Sequence, residues 1–243
     1  MPTLPPPTAR VRGLDYLDAD RPALHALLHT RLNAPEQTVV FTPNAKIASD
    51  AVQDPALLTL LQKADLLLPD GAGIVLASRR SSHPLTHRLP GIEAGEMALG
   101  LAADGGYPVY FLGGKEGVAK EAAAHWQAKL PSLIVAGTHH GYFNVNGAEN
   151  EAVCEDIRAS GAQILLVCLG FPAQEMWIDY NKNALPAVRL FMGLGGSFDV
   201  WSGSIRRAPV AFRAVHAEWL WRMLCEPRRF AQFPALVRFV MGR

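Results

Sequence analysis

Cysteine is scarce in this chain: the three residues, Cys154, Cys168 and Cys225, stand far apart with no Cys-x-x-Cys among them. That spacing argues against a disulfide scaffold and against a thiolate zinc site, and it suits reduced thiols. Long apolar runs are missing as well. A stretch such as Ala162 to Leu169 falls far short of the roughly 20 residues that a membrane-spanning helix needs. The N-terminus, Met1-Pro-Thr-Leu-Pro-Pro-Pro, lacks the basic-then-apolar pattern of a secretory signal, so a cytosolic location is expected. No G-x-G-x-x-G opens the first strand-to-helix turn, which argues against a nicotinamide enzyme. Residues 201–243 hold no lysine at all.

At 49% hydrophobic and 19% charged, 243 residues can bury the core of one large α/β domain with a modest appendage. Net charge is only +1, but it is unevenly spread. Residues 201–243 carry eight Arg and two Glu, a net of +6, whereas residues 1–200 carry 15 basic and 20 acidic groups, a net of −5. In the last stretch the arginines are interleaved with Trp201, Phe212, Trp219, Trp221, Phe230, Phe233 and Phe239. Arg with Trp and Phe suits an interfacial membrane segment, with rings in the acyl boundary and guanidinium groups on anionic head groups. The same composition also suits a nucleic-acid grip or a helical cap on the core.

Strand-like and helix-like segments alternate. Short β-branched or apolar runs at 10–14, 38–41, 66–69, 108–112, 132–135, 163–169 and 188–192 read as strands. Between them, 21–32, 49–63, 73–80, 116–130 and 148–159 read as helices. The alternation predicts a Rossmann-like α/β catalytic domain over 1–200, with a mostly parallel sheet and helices on both faces. A basic aromatic helical appendage is expected over 201–243.

In open α/β sheets ligands bind beyond the carboxyl ends of the strands, and these ends carry polar or glycine-rich punctuation. Leu66 to Pro69 ends on Asp70-Gly71, so Asp70 either points into a site or caps the next helix. Gly113-Gly114-Lys115 closes another strand and could offer backbone N–H groups to a phosphate, or serve only as a tight turn. Asp18-Ala19-Asp20 precedes a helix start, where capping outweighs metal binding. His139 and His140, on extended chain, should point apart and make poor joint metal ligands.

Taken in order, the strand ends and the later segments form a series: Thr42-Pro43-Asn44, Pro69-Asp70-Gly71, Pro90-Gly91, Phe111-Leu112-Gly113-Gly114, Gly137-Thr138-His139-His140-Gly141-Tyr142-Phe143, Gly170-x-Pro172-x-Gln174-Glu175, Gly195-Gly196-x-Phe198-Asp199, Arg207-Ala208-Pro209 and Glu218-Trp219-x-x-Arg222-x-x-x-Glu226-Pro227-Arg228-Arg229. This series resembles the motifs of the WecG/TagA/CpsF bacterial glycosyltransferases, glycosyltransferase family 26. The resemblance runs from about residue 38 to 230. It implies an inverting transfer of a sugar, typically N-acetylmannosamine or its uronic acid, from a UDP donor. The acceptor would be polyprenyl-diphosphate-linked N-acetylglucosamine, in wall teichoic acid, common antigen, capsule or exopolysaccharide synthesis.

Inverting transfer needs a base for the acceptor hydroxyl, and a partly desolvated carboxylate at a strand end can serve. Asp70 is the candidate. By resemblance Thr42 and Asn44 orient a sugar, while Arg88 and Gln174 contact the diphosphate or sugar. Gly113, Gly114, Tyr142, Gly195 and Asp199 are candidates for the nucleotide pocket; Tyr142 could stack on uracil or sit in the core. Charge on the departing UDP would be met by arginines and helix N-termini, with no metal and no cofactor expected beyond the UDP-sugar. The resemblance also implies that the C-terminal segment supplies Arg207, Arg222 and Arg229 to the diphosphates and docks the enzyme on the inner membrane face. The alternative is that Arg222 and Arg229 pair with Glu218 and Glu226. Expected partners are therefore the UDP-sugar, the lipid-linked acceptor and the membrane surface, not nucleic acid, with a homo-oligomer left open.

Two departures stand out: Gly91-Ile92-Glu93 replaces the usual Gly-Ser-Asp, and Arg229-Phe230 replaces a final Tyr. The first opens the donor to question, so transfer of another hexose or a uronic acid stays an alternative. A non-catalytic membrane or nucleic-acid module would leave the strand-end cluster around Asp70 unexplained.

Overall fold

A computed structural model describes residues 7–209 together with Phe212, Trp221 and Phe239. The chain divides into two compact units: Met1–Ala23, Thr42–Pro90 and Arg207–Arg243 form the first, Leu24–Phe41 and Gly91–Arg206 the second. The architecture is α/β and mostly parallel, as the alternation predicts.

In the first unit, β1 (Thr8–Val11) and β2 (Leu14–Leu17) form an antiparallel hairpin, where a single short strand was expected. Its two-residue turn, Arg12-Gly13, has positive φ at both positions (53° and 86°), the geometry whose twist matches a right-handed hairpin. Beyond β2 lies β4 (Leu66–Leu67), in parallel register through Tyr16 and Leu67. The helix expected over 49–63 is in fact two, α2 (Ala45–Gln53) and α3 (Pro55–Gln62). Pro55 cannot donate the helix bond its position demands, so the chain breaks before it. Asp54 joins the pieces: its N–H closes α2 on Asp50 and Ala51, and its Oδ1 accepts from Ala56 and Leu57. α4 (Ala72–Ser78) follows β4.

Asp20 caps α1 (Arg21–Leu32), its Oδ1 accepting the Ala23 N–H at 2.8 Å, so the capping expectation for the Asp18-Ala19-Asp20 segment holds. Asp20→Ala is expected to cost about 1 kcal/mol, read as a lowered urea midpoint at unchanged slope.

The second unit contains β3 (Thr38–Phe41), β5 (Val109–Gly113), β6 (Val135–His139), β7 (Ile164–Cys168) and β8 (Leu190–Gly193), ordered β3-β8-β7-β5-β6 and all parallel. Strands β5, β7 and β8 are buried along their whole length, as continuous apolar runs covered on both faces should be. Around them lie α5 (Gly91–Gly105), α6 (Val118–Lys129), α7 (Ala148–Ala159), α8 (Ala173–Asn181) and the short α9 (Ser197–Trp201). Asn181 joins α7 to α8 in a buried network. Its Oδ1 accepts from Asn150 Nδ2 and Cys154 Sγ, its Nδ2 donates to the Trp177 carbonyl, and Trp177 Nε1 donates to Asn150 Oδ1.

Two expectations fail here. α5 stands where no helix was expected, and β6 begins at Val135, where the strand over 132–135 was expected to end. Register along β5 and β6 shifts between Val109 and Tyr110, which pair with Val135 and Gly137, so Ala136 bulges out. The Tyr110 ring lies over Gly137, where a Cβ would come within 2.5 Å of it.

Candidate active site

In the first unit Asp70 lies past the end of β4, after Leu68 and Pro69, and is half-buried. The N-cap position of α4 is Gly71, whose φ of 96° and ψ of 156° suit glycine. Tyr16 on β2 is fully buried, and its hydroxyl is pushed far above its ordinary pKa by burial first and by the charge of Asp70 second. Tyr16 was not singled out from the sequence, because a Tyr in an apolar strand carries no sign of a carboxylate partner.

The loop bearing Arg88 is held beside this strand end. Leu89 donates its N–H to the Pro69 carbonyl at 3.0 Å, one residue from Asp70. Farther back, Asp18 Oδ1 accepts both the N–H and the hydroxyl of Thr86, and Ser78 Oγ accepts the Leu85 N–H. Asp18 thus anchors this loop. Arg88 is half-buried. Thr42 is 8% exposed, and Asn44 caps α2 through Oδ1, accepting from Lys46 and Ile47. Arg207 is half-buried in the same unit, whereas Arg222 and Arg229, like Cys225, lie outside the described residues.

In the second unit the strand-end glycines are held by close backbone packing. A Cβ on Gly113, at φ 134°, would lie 2.3 Å from the Cys168 carbonyl oxygen of the adjacent strand. Gly114 donates its N–H to that carbonyl at 3.0 Å and accepts from Gly141 N–H at 2.8 Å. The Gly114 backbone thus binds neighbouring strand ends to one another. Cys168 is buried; burial raises its thiol pKa, and hydrogen bonds from the Phe198 and Ser197 N–H groups oppose the rise.

Tyr142 is 72% exposed, which removes the core alternative and leaves its ring open to solvent. Asp199 is half-buried, its Oδ2 3.5 Å from where a Gly196 Cβ would stand, so its carboxylate lies over the Gly195-Gly196 turn. Gln174 is buried: its Oε1 accepts the Gly195 N–H at 3.0 Å and its Nε2 donates to Glu175 Oε1 at 2.9 Å. Glu175 is itself 2% exposed, and burial raises its pKa to about 7 against hydrogen bonds from Gln174 and from its own N–H. His139 and His140 do not point apart; their ring centroids lie 4.5 Å from each other. Among the described residues no three His, Cys, Asp or Glu groups gather as a metal set.

Residues 9–242 match the family described as "Glycosyl transferase WecG/TagA/CpsF family". The chain is also similar to the N-acetylglucosaminyldiphosphoundecaprenol N-acetyl-beta-D-mannosaminyltransferase of Bacillus spizizenii. Identity there is 31% over 234 residues, 96% of this chain and 89% of the relative. A protein of the same name from Staphylococcus aureus is 34% identical over 201 residues, 83% of this chain and 77% of the relative.

Proposed function

The chain belongs to the WecG/TagA/CpsF family of glycosyl transferases, and from that membership we propose that it moves N-acetylmannosamine from a UDP donor to polyprenyl-diphosphate-linked N-acetylglucosamine. The enzyme is a hexosyltransferase, and the names of its relatives specify this sugar and this acceptor for those proteins. The observation that carries the mechanism is the place of Asp70: past the end of β4, half-buried, with its charge acting on the buried Tyr16 hydroxyl.

In the proposed reaction the Asp70 carboxylate takes the proton of the acceptor hydroxyl as its oxygen attacks the anomeric carbon. The bond from that carbon to the UDP β-phosphate oxygen breaks, and its electron pair leaves with UDP, inverting the centre. Arg88, held beside Asp70 by the Leu89–Pro69 bond, meets negative charge on a diphosphate. Thr42 and Asn44 orient a sugar. In the second unit Gln174, Gly195 and Asp199 contact the donor, and the exposed Tyr142 ring stacks on uracil. The proposal uses no metal: arginines, with Arg207 among them, carry the leaving-group charge.

No helix among the described residues is long and apolar enough to cross a membrane. The Arg- and aromatic-rich segment over 201–243 is therefore proposed to bring the enzyme to the leaflet that holds its acceptor, each Arg contributing about 1 kcal/mol near anionic lipid.

The test is turnover of a panel of UDP-sugars with a soluble diphosphate-linked N-acetylglucosamine acceptor in the presence of EDTA. N-acetylmannosamine transfer should exceed that of every other hexose by at least about tenfold. Preference for another hexose or a uronic acid would move the assignment to that donor, and Ile92-Glu93 is where the difference would be sought. No turnover and no UDP binding would sink the transferase mechanism proposed here.

A further inference from the structure

Glu175 is the most deeply buried carboxylate among the described residues and lies outside the mechanism above. Its Oε1 accepts from Gln174 Nε2, and among the described residues its Oε2 has no hydrogen-bond partner. Gln174 in turn is fixed from two sides. The Gly195 N–H is a donor that cannot reorient, so the amide carbonyl must face it. The amide nitrogen then faces Glu175, and it lies 2.9 Å from where a Cβ on Gly193 would stand. The amide therefore rests on the carboxyl end of β8, in the part of an α/β sheet where ligands bind. A flipped amide would set donor against donor at Gly195.

We infer that Glu175 is a positioning residue for donor binding: it fixes the Gln174 amide, which holds the Gly195 turn and keeps its second N–H for an oxygen of the nucleotide sugar. This rests on the donor reading proposed above. The anion brought by a UDP-sugar disfavours a second negative charge nearby, so donor binding draws a proton onto the unpartnered Oε2 while Oε1 goes on accepting from Gln174. Among the described residues other ionisable groups stand around it: the Asp199 carboxylate lies over the Gly195-Gly196 turn, Cys154 of α7 donates to Asn181 of α8, and Lys182 of the 3-10 turn Lys182–Ala184 pairs with Asp179 of α8, while β8 has no titratable side chain. All of these are the same in the wild type and in a Glu175 variant, so comparing the two isolates Glu175.

The pH at which this matters follows from the raised pKa of about 7. Wild-type affinity for UDP should fall as pH rises from 6 to 8, because more Glu175 must be reprotonated on binding. Glu175→Gln keeps an oxygen that can accept from Gln174 and carries no charge, so its affinity should stay near the wild-type value at pH 6. The ratio of the two dissociation constants, measured by calorimetry at each pH, cancels the titration of UDP itself. About a tenfold change in that ratio between pH 6 and 8 is expected, since a group with a pKa of about 7 is about nine-tenths protonated at pH 6 and about one-tenth at pH 8. Glu175→Ala, which frees the amide, should raise the donor KM about tenfold while kcat changes less than threefold.

A ratio that stays constant across pH overturns the inference. So does a Glu175→Ala protein that is folded and has a wild-type KM; if that variant does not fold, the Glu175→Gln ratio decides alone. Wild type that binds no UDP at any pH overturns the donor reading, and this inference with it.

Discussion

Asp70→Asn is expected to lower kcat by about a hundredfold or more while the affinity for UDP stays within about threefold. Asn fills the same space and keeps a carbonyl oxygen where the carboxylate stood, but it cannot take the proton of the acceptor hydroxyl. The fold should survive the change, because Asn keeps the size of Asp and an oxygen that can accept a hydrogen bond, and because the Arg88 loop is held by the Pro69 carbonyl, which the substitution leaves in place. An unfolding midpoint measured beside the kinetics separates lost chemistry from lost structure. A loss of less than tenfold, in a folded protein that still binds UDP, would move the base to another group. The pattern to expect is a fall in kcat and kcat/KM together, the mark of an interaction made in the transition state.

The second large effect concerns stability. Gly113→Ala should cost about 3 to 5 kcal/mol, a large share of the total of about 5 to 15 that holds such a domain. Two causes add. At φ 134° an L-residue is strained whatever the space around it, and the new Cβ would stand 2.3 Å from the Cys168 oxygen, 2.5 Å from its carbonyl carbon and 2.8 Å from its Cα. None of those atoms can step aside without moving β7, which is buried along its length. Gly117→Ala is the control: its φ is 84°, but nothing lies within 4 Å of the added Cβ, so only the backbone term of about 1 to 2 kcal/mol applies. Denaturant midpoints of the two variants should differ in that order. Equal midpoints would show that β5 and β7 can part at this point.

Much of this fold could be read from residue order, and the failures have specific causes. The segments 21–32, 38–41 and 148–159 were placed to the residue, because each combines a clear start signal with a period of one kind. The strand over 132–135 was misplaced because Leu133-Ile134-Val135 is the more apolar run, yet Leu133 and Ile134 only lead into the strand. The real β6 is half-buried throughout and includes glycine, threonine and histidine, so it has no apolar signature to find. α5 was missed because Pro90-Gly91 looks like a turn. Its small residues are demanded by packing: a Cβ on Gly95 would meet Leu194 and Trp201 within 3 Å.

For the site, polar strand ends were legible because they interrupt apolar runs. What each end is used for was not. Asp70 and Gly114 look alike as punctuation, yet the Gly114 N–H is bound to the Cys168 carbonyl while the charge of Asp70 acts on the buried Tyr16 hydroxyl. Tyr16 and Glu175 could not be recognised, since their significance lies in partners or burial that no spacing rule encodes.

The bulge at Ala136 has a consequence for how the protein behaves in a crowded cell. β6 is the last strand of the second unit's sheet, and a straight outer strand offers a ready template on which another chain can add itself. Here the extra residue breaks the even spacing of that row, and Gly137, covered by the Tyr110 ring, puts no side chain into a cross-strand ladder. The irregular strand that escaped recognition is thus a poor seed for aggregation, and replacing its bulge with regular β-branched sequence would trade solubility for order.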